Sequence, residues 1–508
     1  MADPASVGGL LAARAKDRPD ATYFLATETG RTLTFGELDR SSRRAAALLG
    51  RLAGAPGAHV SLVMPNGLAT LRILLGAMAG GYCVNPVNLL SQPEQMRYVI
   101  DHCDSRVVFA SPEWAPKLRD LVRGIGRPIE VVEVDPDADS LPGEHSSDDS
   151  FRLPEVAPEA LALLMYTSGT TGKPKGVMLT QSNLCANAHA ISAEHRLGPG
   201  DRVTAVLPLY HINAFAVTML APLAHGGSLA MPPKFSAGRF WELPTRHGCT
   251  WLNMVPTMVS YLLEGQVPPR ESIAHVRFCR TASAPLPPEH LLAFQSKFGI
   301  GVIETMGLTE TVAPAFSNPY EPAKRKVGSV GKPSGCEARI VDEHGKPLAD
   351  GTPGEIAIRG PQVTPGYYKN EAATRAAFFP DGWLRSGDVG MRDAEGYFFV
   401  TGRIKELIIK GGENIAPREI DEVLLLHPAV LDAAAVGIPD RHYGQEIMAC
   451  VIRRPGSHCE VEELRDFCIE HLGPFKAPKL IRFVEELPRG PSGKVQRLKL
   501  LGSDPVFS

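Results

Sequence analysis

The opening third of the chain alternates short apolar runs with longer segments whose apolar residues recur at helical spacing. Residues 35–52 predict an amphipathic helix, and residues 59–65 follow as a short buried strand that ends at a proline. The alternation then repeats, with helices predicted over 67–80 and 114–122 and strands over 106–110 and 128–134. Strands separated by amphipathic helices predict parallel sheets that are covered by helices on both faces.

The pattern changes in the second half of the chain. Residues 328–400 alternate apolar and polar positions around glycine turns, which is typical of antiparallel, barrel-like structure. A compact unit follows Arg403, in which Pro417 can open one helix and residues 461–472 predict another. The sequence therefore predicts an α/β multidomain fold, with a large body first and a small α/β unit after it.

Composition narrows the class of protein further. The 508 residues include 53 Lys and Arg against 56 Asp and Glu, a net charge of −3 that argues against binding nucleic acid or an anionic membrane. The nine cysteines are scattered without metal-binding spacing, which suits free thiols in a reducing compartment. No secretory signal is visible, and no apolar run reaches the ~20 residues of a membrane span. We therefore expect a cytoplasmic protein with no membrane span.

A loop rich in glycine and hydroxyl groups lies between two strand-like runs. It reads Thr167, Ser168, Gly169, Thr170, Thr171, Gly172, Lys173, Pro174, Lys175, Gly176. Glycines let backbone N–H groups approach phosphate oxygens, and the hydroxyls and lysines add donors and positive charge. A Walker A loop would open a helix with Gly-Lys-Ser/Thr, whereas here Pro174 follows Lys173 and a strand comes next. The loop predicts a phosphate site that differs from those of P-loop kinases and GTPases.

This loop resembles the signature of the adenylate-forming superfamily, which includes acyl-CoA synthetases, peptide-synthetase adenylation domains and luciferases. Five further segments match in the same order, so the resemblance covers nearly the whole chain. It implies an N-terminal domain over 1–402, built from two α/β sheet lobes and a β-barrel-like subdomain. A small mobile C-terminal α/β lid over 403–508 would turn about a hinge at Lys405. The implied activity is ATP-dependent acid–CoA ligation with Mg²⁺ and coenzyme A.

The five segments assign nucleotide and catalytic residues by resemblance. They read PLYHIN (208–213), ETMGLTE (304–310), RSGD (385–388), GRIKELIIKGGENIAPREI (402–420) and PSGK (491–494). Beside residues 167–173, the implied nucleotide contacts are Ala282, Glu304, Thr305, Met306, Asp388 and Arg403. The implied catalytic residues are His211, Thr309, Glu310 and Lys494. Glu310 is also the expected magnesium ligand, because a hard cation prefers carboxylate oxygens. Met306 replaces the aromatic that usually stacks on adenine, and its thioether can pack there.

The resemblance also implies sites for the thiol and the acid. The expected CoA contacts are Gly411, Gly412, Tyr443, Phe475 and Lys476. The expected acyl-pocket residues are Asn213, Val217, Met254, Ser283 and Ala284. Segments 213–218, 251–254 and 282–285 contain no Arg or Lys, so a short dicarboxylate is not expected. We expect instead an apolar medium-chain, aromatic or polycyclic acid, with a role in natural-product biosynthesis.

Other functions share these segments. An adenylation enzyme that loads a carrier protein would match all of them, although the GGENIAP loop favours a CoA ligase. A luciferase-type oxygenase is a further alternative. A non-catalytic nucleotide-binding protein would be expected to lack Lys494 or Glu310, and both are present. We expect a monomer or homodimer whose partners are a small carboxylic acid, ATP and CoA, with a carrier protein as the alternative acceptor.

Overall fold

The computed structural model describes residues 4–167, 173–489 and 495–501. Contacts divide the chain into two compact units. The first unit comprises residues up to 337 together with 358–384, and the second comprises 338–357 together with the residues from 385 onward. The mixed α/β, multidomain character predicted from the sequence is confirmed, while the predicted boundary at Arg403 stays a prediction.

The helices occupy the following ranges: α1 (Val7–Asp17), α2 (Phe35–Leu52), α3 (Leu68–Ala79), α4 (Pro93–His102), α5 (Ala115–Val122), α6 (Gln181–Glu194), α7 (Ala221–His225), α8 (Glu242–His247), α9 (Pro256–Glu264), α10 (Arg270–Ile273), α11 (Pro288–Phe298), α12 (Glu371–Ala376), α13 (Pro417–Leu426) and α14 (Val461–Leu472). A π-helical segment, Ala214–Leu220, leads directly into α7.

The strands occupy the following ranges: β1 (Thr22–Ala26), β2 (Thr32–Thr34), β3 (His59–Val63), β4 (Cys83–Pro86), β5 (Ser105–Ala110), β6 (Glu130–Glu133), β7 (Leu161–Thr167), β8 (Lys175–Thr180), β9 (Arg202–Thr204), β10 (Ser228–Met231), β11 (Trp251–Met254), β12 (Phe278–Thr281), β13 (Val302–Leu308), β14 (Ala313–Ser317), β15 (Lys332–Pro333), β16 (Glu337–Val341), β17 (Gly354–Arg359), β18 (Gly366–Tyr367), β19 (Leu384–Arg392), β20 (Phe398–Arg403), β21 (Ile408–Lys410), β22 (Glu413–Ile415), β23 (Val430–Asp440), β24 (Gly444–Arg453) and β25 (Leu480–Phe483).

The first unit contains a sheet in the order β15-β14-β13-β12-β11-β9-β10-β1-β2. Its six central strands, from β13 to β1, are all parallel. In this register Asn253 lies beside Arg280, and Thr281 lies beside Glu304. Because the strands run the same way, the residues that follow β9, β11, β12 and β13 emerge at one edge of the sheet.

A second sheet of this unit has the order β18-β8-β7-β4-β3-β5-β6. Strands β3 to β7 pair in parallel, whereas β7 and β8 form an antiparallel hairpin around the glycine-rich loop. Helix α3 is buried along its whole length and belongs to a hydrophobic cluster that includes both sheets. The apolar run that begins at Ile73 therefore forms core, as its short length predicts.

Local signals explain where several elements begin. Thr34 caps α2, because its Oγ1 accepts from the Glu37 N–H at 3.2 Å and the Glu37 carboxylate accepts from the Thr34 N–H at 2.8 Å. This reciprocal pair satisfies two backbone donors that a helix end would leave open. Pro417 stands at the first position of α13, as predicted, where its missing N–H costs nothing.

The second unit contains the strands in the order β16-β17-β19-β20, with β19 and β20 antiparallel. Its other sheet has the order β22-β21-β24-β23, and β25 pairs with β24. Helices α13 and α14 contribute Ile420 and Cys468 to the core of this sheet. The predicted core position of Cys468 is confirmed, since that side chain is fully buried.

None of the helices in the described ranges is both long and apolar enough to cross a membrane. All nine cysteines lie in those ranges, and each is a free thiol.

Gly307 offers a test of the β13–β14 hairpin. A Cβ at this position would lie 2.1 Å from the Ala313 carbonyl oxygen, so Gly307→Ala must push the two strands apart. We expect the free energy of unfolding to fall by about 1–3 kcal/mol, measured by urea denaturation. Gly50→Ala, on the exposed face of α2, is the control and should be neutral or stabilising. Equal denaturation midpoints for wild type and Gly307→Ala would contradict this packing.

Candidate active site

The carboxyl edge of the nine-stranded sheet gathers several predicted site residues. Met254 ends β11, Ala282 follows β12, and Glu304 to Met306 lie in β13. His211 and Asn213 reach the same edge in the connection after β9, before the π-helical segment. Ligands of parallel α/β sheets bind at this edge, because the loops there can diverge around a crevice.

A tight turn after β13 fixes Thr309 and Glu310. The buried Thr311 hydroxyl accepts from the Leu308 N–H at 3.0 Å and lies 2.9 Å from the Ala313 carbonyl oxygen, to which it can donate. Val312 and Ala313 then adopt φ of +57° and +72°, a left-handed conformation that a β-branched residue rarely adopts. Surrounding contacts must hold this strained turn in place, and such strain is concentrated at functional sites.

Tyr367, which the sequence analysis did not select, binds the predicted magnesium ligand. Its hydroxyl donates to Glu310 Oε1 at 2.8 Å from the short strand β18. Burial and the Glu310 charge raise the pKa of Tyr367 well above its usual range, so the phenol stays protonated and remains a donor. Proteins often bind Mg²⁺ through one carboxylate together with substrate phosphates. The fixed Glu310 carboxylate suits that role.

Two of the predicted acyl-pocket residues are joined by a hydrogen bond. Asn213 Nδ2 donates to Ser283 Oγ at 3.3 Å, and Ser283 adopts φ of +76° directly after β12. Val217 is fully buried in the π-helical segment, and Met254 is fully buried at the end of β11. Ala284 is half-buried beside Ser283.

His211, which the family resemblance assigns to catalysis, is half-buried in the same connection. Its ring centre lies 4.8 Å from that of Tyr210.

One charged residue at this edge was missed. Arg280 Nη1 donates to Asn213 Oδ1 and to Asn253 Oδ1, each at 2.8 Å. It lies two residues before the pocket segment that begins at Ala282, and outside the three segments in which no cation was found. The available signal was a charged residue within an otherwise apolar strand.

In the second unit, the predicted nucleotide contacts Asp388 and Arg403 are neighbours across β19 and β20. Asp388 and Arg403 are register partners, with Arg403 Nε 2.8 Å from Asp388 Oδ1. The carboxylate is buried, whereas the guanidinium is half-exposed. Such a pair offers an acceptor and a donor to a ribose. Lys405, the predicted hinge, lies exposed in the turn after β20.

The predicted CoA residues Gly411, Tyr443 and Phe475 lie together. Gly411 adopts φ of +57° and donates its N–H to the Tyr443 carbonyl oxygen at 2.8 Å. The exposed rings of Tyr443 and Phe475 lie 6.5 Å apart, edge to face. Buried Lys410, another residue that the sequence analysis missed, donates to the Phe475 carbonyl oxygen at 2.8 Å.

The remaining predicted CoA residues flank this group. Gly412 continues the turn between β21 and β22 with φ of +88° and nothing within 4 Å of a Cβ there. Lys476 Nζ donates to Glu419 at 2.6 Å.

Part of the predicted phosphate site lies outside the described residues, namely Ser168, Gly169, Thr170, Thr171, Gly172 and Lys494. Thr167 ends β7 on one side of that loop. On the other side, Lys173 Nζ lies 5.6 Å from the centre of the Tyr98 ring.

Comparison with known proteins gives this geometry a context. Residues 11–368 match the AMP-binding enzyme family, and residues 419–494 match the C-terminal domain of AMP-binding enzymes. The chain is 56% identical to a sulfoacetate–CoA ligase of Cupriavidus necator, a match that covers 98% of this chain and 97% of the relative. It is 36% identical to an oxalate–CoA ligase of Arabidopsis thaliana, over 97% of this chain and 98% of that protein.

A solved structure matches equally broadly. ATP-bound MatB from Rhodopseudomonas palustris superposes with a TM-score of 0.92 and 29% identity, covering 99% of this chain and 100% of MatB. Fold and site thus define an adenylate-forming enzyme. The chain belongs to the AMP-binding enzyme family, and it is an AMP-forming acid–CoA ligase that uses ATP, Mg²⁺ and CoA. The roles given to individual residues stay predictions.

The Tyr367–Glu310 contact predicts a magnesium phenotype. Tyr367→Phe removes a hydrogen bond to a charged group, worth about 1.5–3 kcal/mol. We therefore expect the Mg²⁺ concentration for half-maximal pyrophosphate release to rise about 10- to 100-fold. Tyr368→Phe is the matched control, because its hydroxyl donates to Asp104 instead. An unchanged or lower magnesium requirement in Tyr367→Phe would show that the phenol does not position Glu310.

Proposed function

We propose that the chain activates a short carboxylic acid in two half-reactions, with Lys494 serving the first and the Gly411–Gly412 turn serving the second. The observation that supports this most strongly is the convergence of β12 and β13 at one sheet edge. There, the predicted nucleotide segment ends in the fixed Glu310 carboxylate and the predicted acyl segment begins at Ala282.

The first half-reaction joins two anions, so its barrier is mainly electrostatic. The acid's carboxylate oxygen attacks the α-phosphorus of ATP, and pyrophosphate leaves with the bonding electrons of the broken P–O bond. Lys494 and Thr309 would supply positive charge and a hydrogen bond where negative charge accumulates. Mg²⁺ held by Glu310 would add positive charge at the phosphate oxygens. No general base is needed, because a carboxylic acid with a pKa of about 4 is already ionised at neutral pH.

The second half-reaction needs a thiolate and space for its long arm. The CoA sulfur attacks the acyl carbon, and AMP leaves as the C–O bond to its phosphate breaks. With a thiol pKa of about 8.5, a few per cent of CoA is already thiolate at neutral pH. The exposed turn at Gly411 and Gly412 has no side chain to block the pantetheine arm, and the exposed rings of Tyr443 and Phe475 lie beside it.

The pocket segments and the relatives lead to different expectations for the acid. The pocket segments predict an apolar medium-chain, aromatic or polycyclic acid. The 56% relative acts instead on sulfoacetate and the 36% relative on oxalate, both short and doubly charged. The high identity to the first supports a short acid for this chain.

Variants of the two proposed residues should separate the half-reactions. Lys494→Ala should lower acid-dependent pyrophosphate release about 10²–10³-fold, while thioester formation from a supplied acyl-adenylate continues. Lys499→Ala is the control, because this exposed lysine lies five positions after Lys494, and the variant should keep both activities. Equal losses of both steps in Lys494→Ala would overturn the proposed role.

Gly411→Val should have the opposite effect. Its Cβ would lie 3.2 Å from Tyr443 Cδ1, and the positive φ disfavours a branched side chain. We expect pyrophosphate release to continue and acyl-CoA formation to fall at least about tenfold, measured by chromatography of both products. A variant that forms acyl-CoA normally would remove this turn from the thiol step.

An acid panel with two acceptors tests the function as a whole. The panel contains sulfoacetate, malonate, octanoate and benzoate, each assayed for AMP and pyrophosphate with CoA or with a holo-carrier protein. Acid-dependent AMP and acyl-CoA are expected with a short acid. Transfer only to the carrier protein would establish the alternative acceptor, and ADP with orthophosphate would contradict the proposed chemistry.

A further inference from the structure

A fully buried arginine, Arg280, lies near the carboxyl end of β12 in the nine-stranded sheet of the first unit. Arg280 has no exposed surface, and its strand neighbours Phe278 and Cys279 are likewise fully buried. Removing a guanidinium from water is costly unless opposite charge and hydrogen bonds replace the lost hydration. The surroundings of Arg280 therefore have to account for that cost.

The protein's own groups replace the lost hydration of the Arg280 guanidinium only in part. Two neutral side-chain oxygens, from Asn213 and Asn253, accept from Nη1. Nε and Nη2 are buried and have no hydrogen-bond partner among the residues that the structure describes. Burial lowers the pKa of Arg280 to about 9, so the group is still charged at neutral pH. Nearby His195 adds no positive charge, since burial lowers its pKa to about 3 and keeps the ring neutral at pH 7.

Two other arginines, the buried Arg72 and the largely buried Arg497, each have a carboxylate partner. Arg72 lies 2.5 Å from the Glu144 carboxylate, and both side chains are almost fully buried. Arg497 pairs with the buried carboxylate of Asp421. Arg280 makes no ion pair within the described ranges, although it is buried more completely than either. A fixed anion is thus the component that its environment lacks.

Arg280 lies where a substrate can supply that anion. It is the penultimate residue of β12, two positions before the predicted acyl segment begins at Ala282. Asn213 links the two, because its Oδ1 accepts from Arg280 and its Nδ2 donates to the half-buried Ser283 hydroxyl. Asn213 thus links Ser283, a predicted pocket residue, to the buried guanidinium.

We propose that Arg280 binds a second anionic group, a carboxylate or a sulfonate, on the short acid that this enzyme activates. The inference rests on the proposed function and names the substrate class of that site. Nε and Nη2 form one edge of the planar guanidinium, an arrangement that matches two oxygens of a single anion. Asn213 and Asn253 hold the opposite side and so orient the free edge. An acid with an apolar tail would leave the buried charge unpaired.

Matched pairs of acids test this selectivity. Sulfoacetate is compared with 3,3-dimethylbutyrate, and malonate with 3-methylbutyrate, because each uncharged tail has nearly the shape of its charged counterpart. In acid-dependent pyrophosphate release, we expect kcat/KM to favour at least one charged acid over its counterpart by about 100-fold or more. A preference for sulfoacetate alone assigns a sulfonate, and a preference for malonate alone assigns a carboxylate.

Two variants connect the preference to the guanidinium. Arg280→Met should lose activity with the charged acid, and its activity with the uncharged acid should stay the same or rise. Asn213→Asp places a carboxylate 2.8 Å from Nη1, so it should raise the thermal unfolding midpoint while abolishing the charge preference. A purely structural role for Arg280 would leave the preference intact in that stabilised variant. Asn213→Asp also keeps the test informative if Arg280→Met fails to fold.

Binding provides a readout that is independent of turnover. Isothermal titration of the wild-type chain with sulfoacetate and with malonate should show an affinity that Asn213→Asp lacks. If the enzyme ligates apolar acids to CoA and Asn213→Asp leaves all selectivities unchanged, the inference fails while the proposed function stands. If no acid supports pyrophosphate release, the proposed function fails and the inference fails with it.

Discussion

Parallel pairing of β11, β12 and β13 is the constraint on which the site depends. It places the carboxyl ends of three strands side by side, so that residues distant in sequence reach one edge. The chemistry needs this proximity, because a carboxylate must approach a polyphosphate and both are negative. The sheet brings the predicted acyl pocket, the predicted magnesium ligand and a buried cation to the same edge. The strained turn at Val312 and Ala313 then fixes the position of Glu310.

Much of the fold could be predicted, because its signals are local. The period of apolar residues predicts α2 to the residue, and it predicts β5 and β6 to within a few residues. Cys468 is buried where the helical spacing placed it. The ordered segments predicted the family, since their residue types and spacing are themselves local patterns. Element types and motifs can therefore be predicted from the order of the residues alone.

The missed residues act through contacts between distant positions. Tyr367 reaches Glu310 across 57 positions, and Arg280 reaches Asn213 across 67. Sheet order and register create these contacts, and neither can be counted along a segment. For the same reason, the pocket segments appeared free of positive charge. They were chosen by their position in the sequence, whereas Arg280 lies two residues before one of them and contacts Asn213 only in the folded protein.

The central claim is that substrate charge completes an incomplete ion pair at Arg280. A crystal structure with a non-hydrolysable sulfamoyl analogue of the sulfoacetyl- or malonyl-adenylate tests it most directly. The account predicts that the distal anion accepts hydrogen bonds from Arg280 Nε and Nη2, with Asn213 and Asn253 still on Nη1. A distal anion that points into solvent, while the guanidinium keeps only its two asparagine partners, would contradict it.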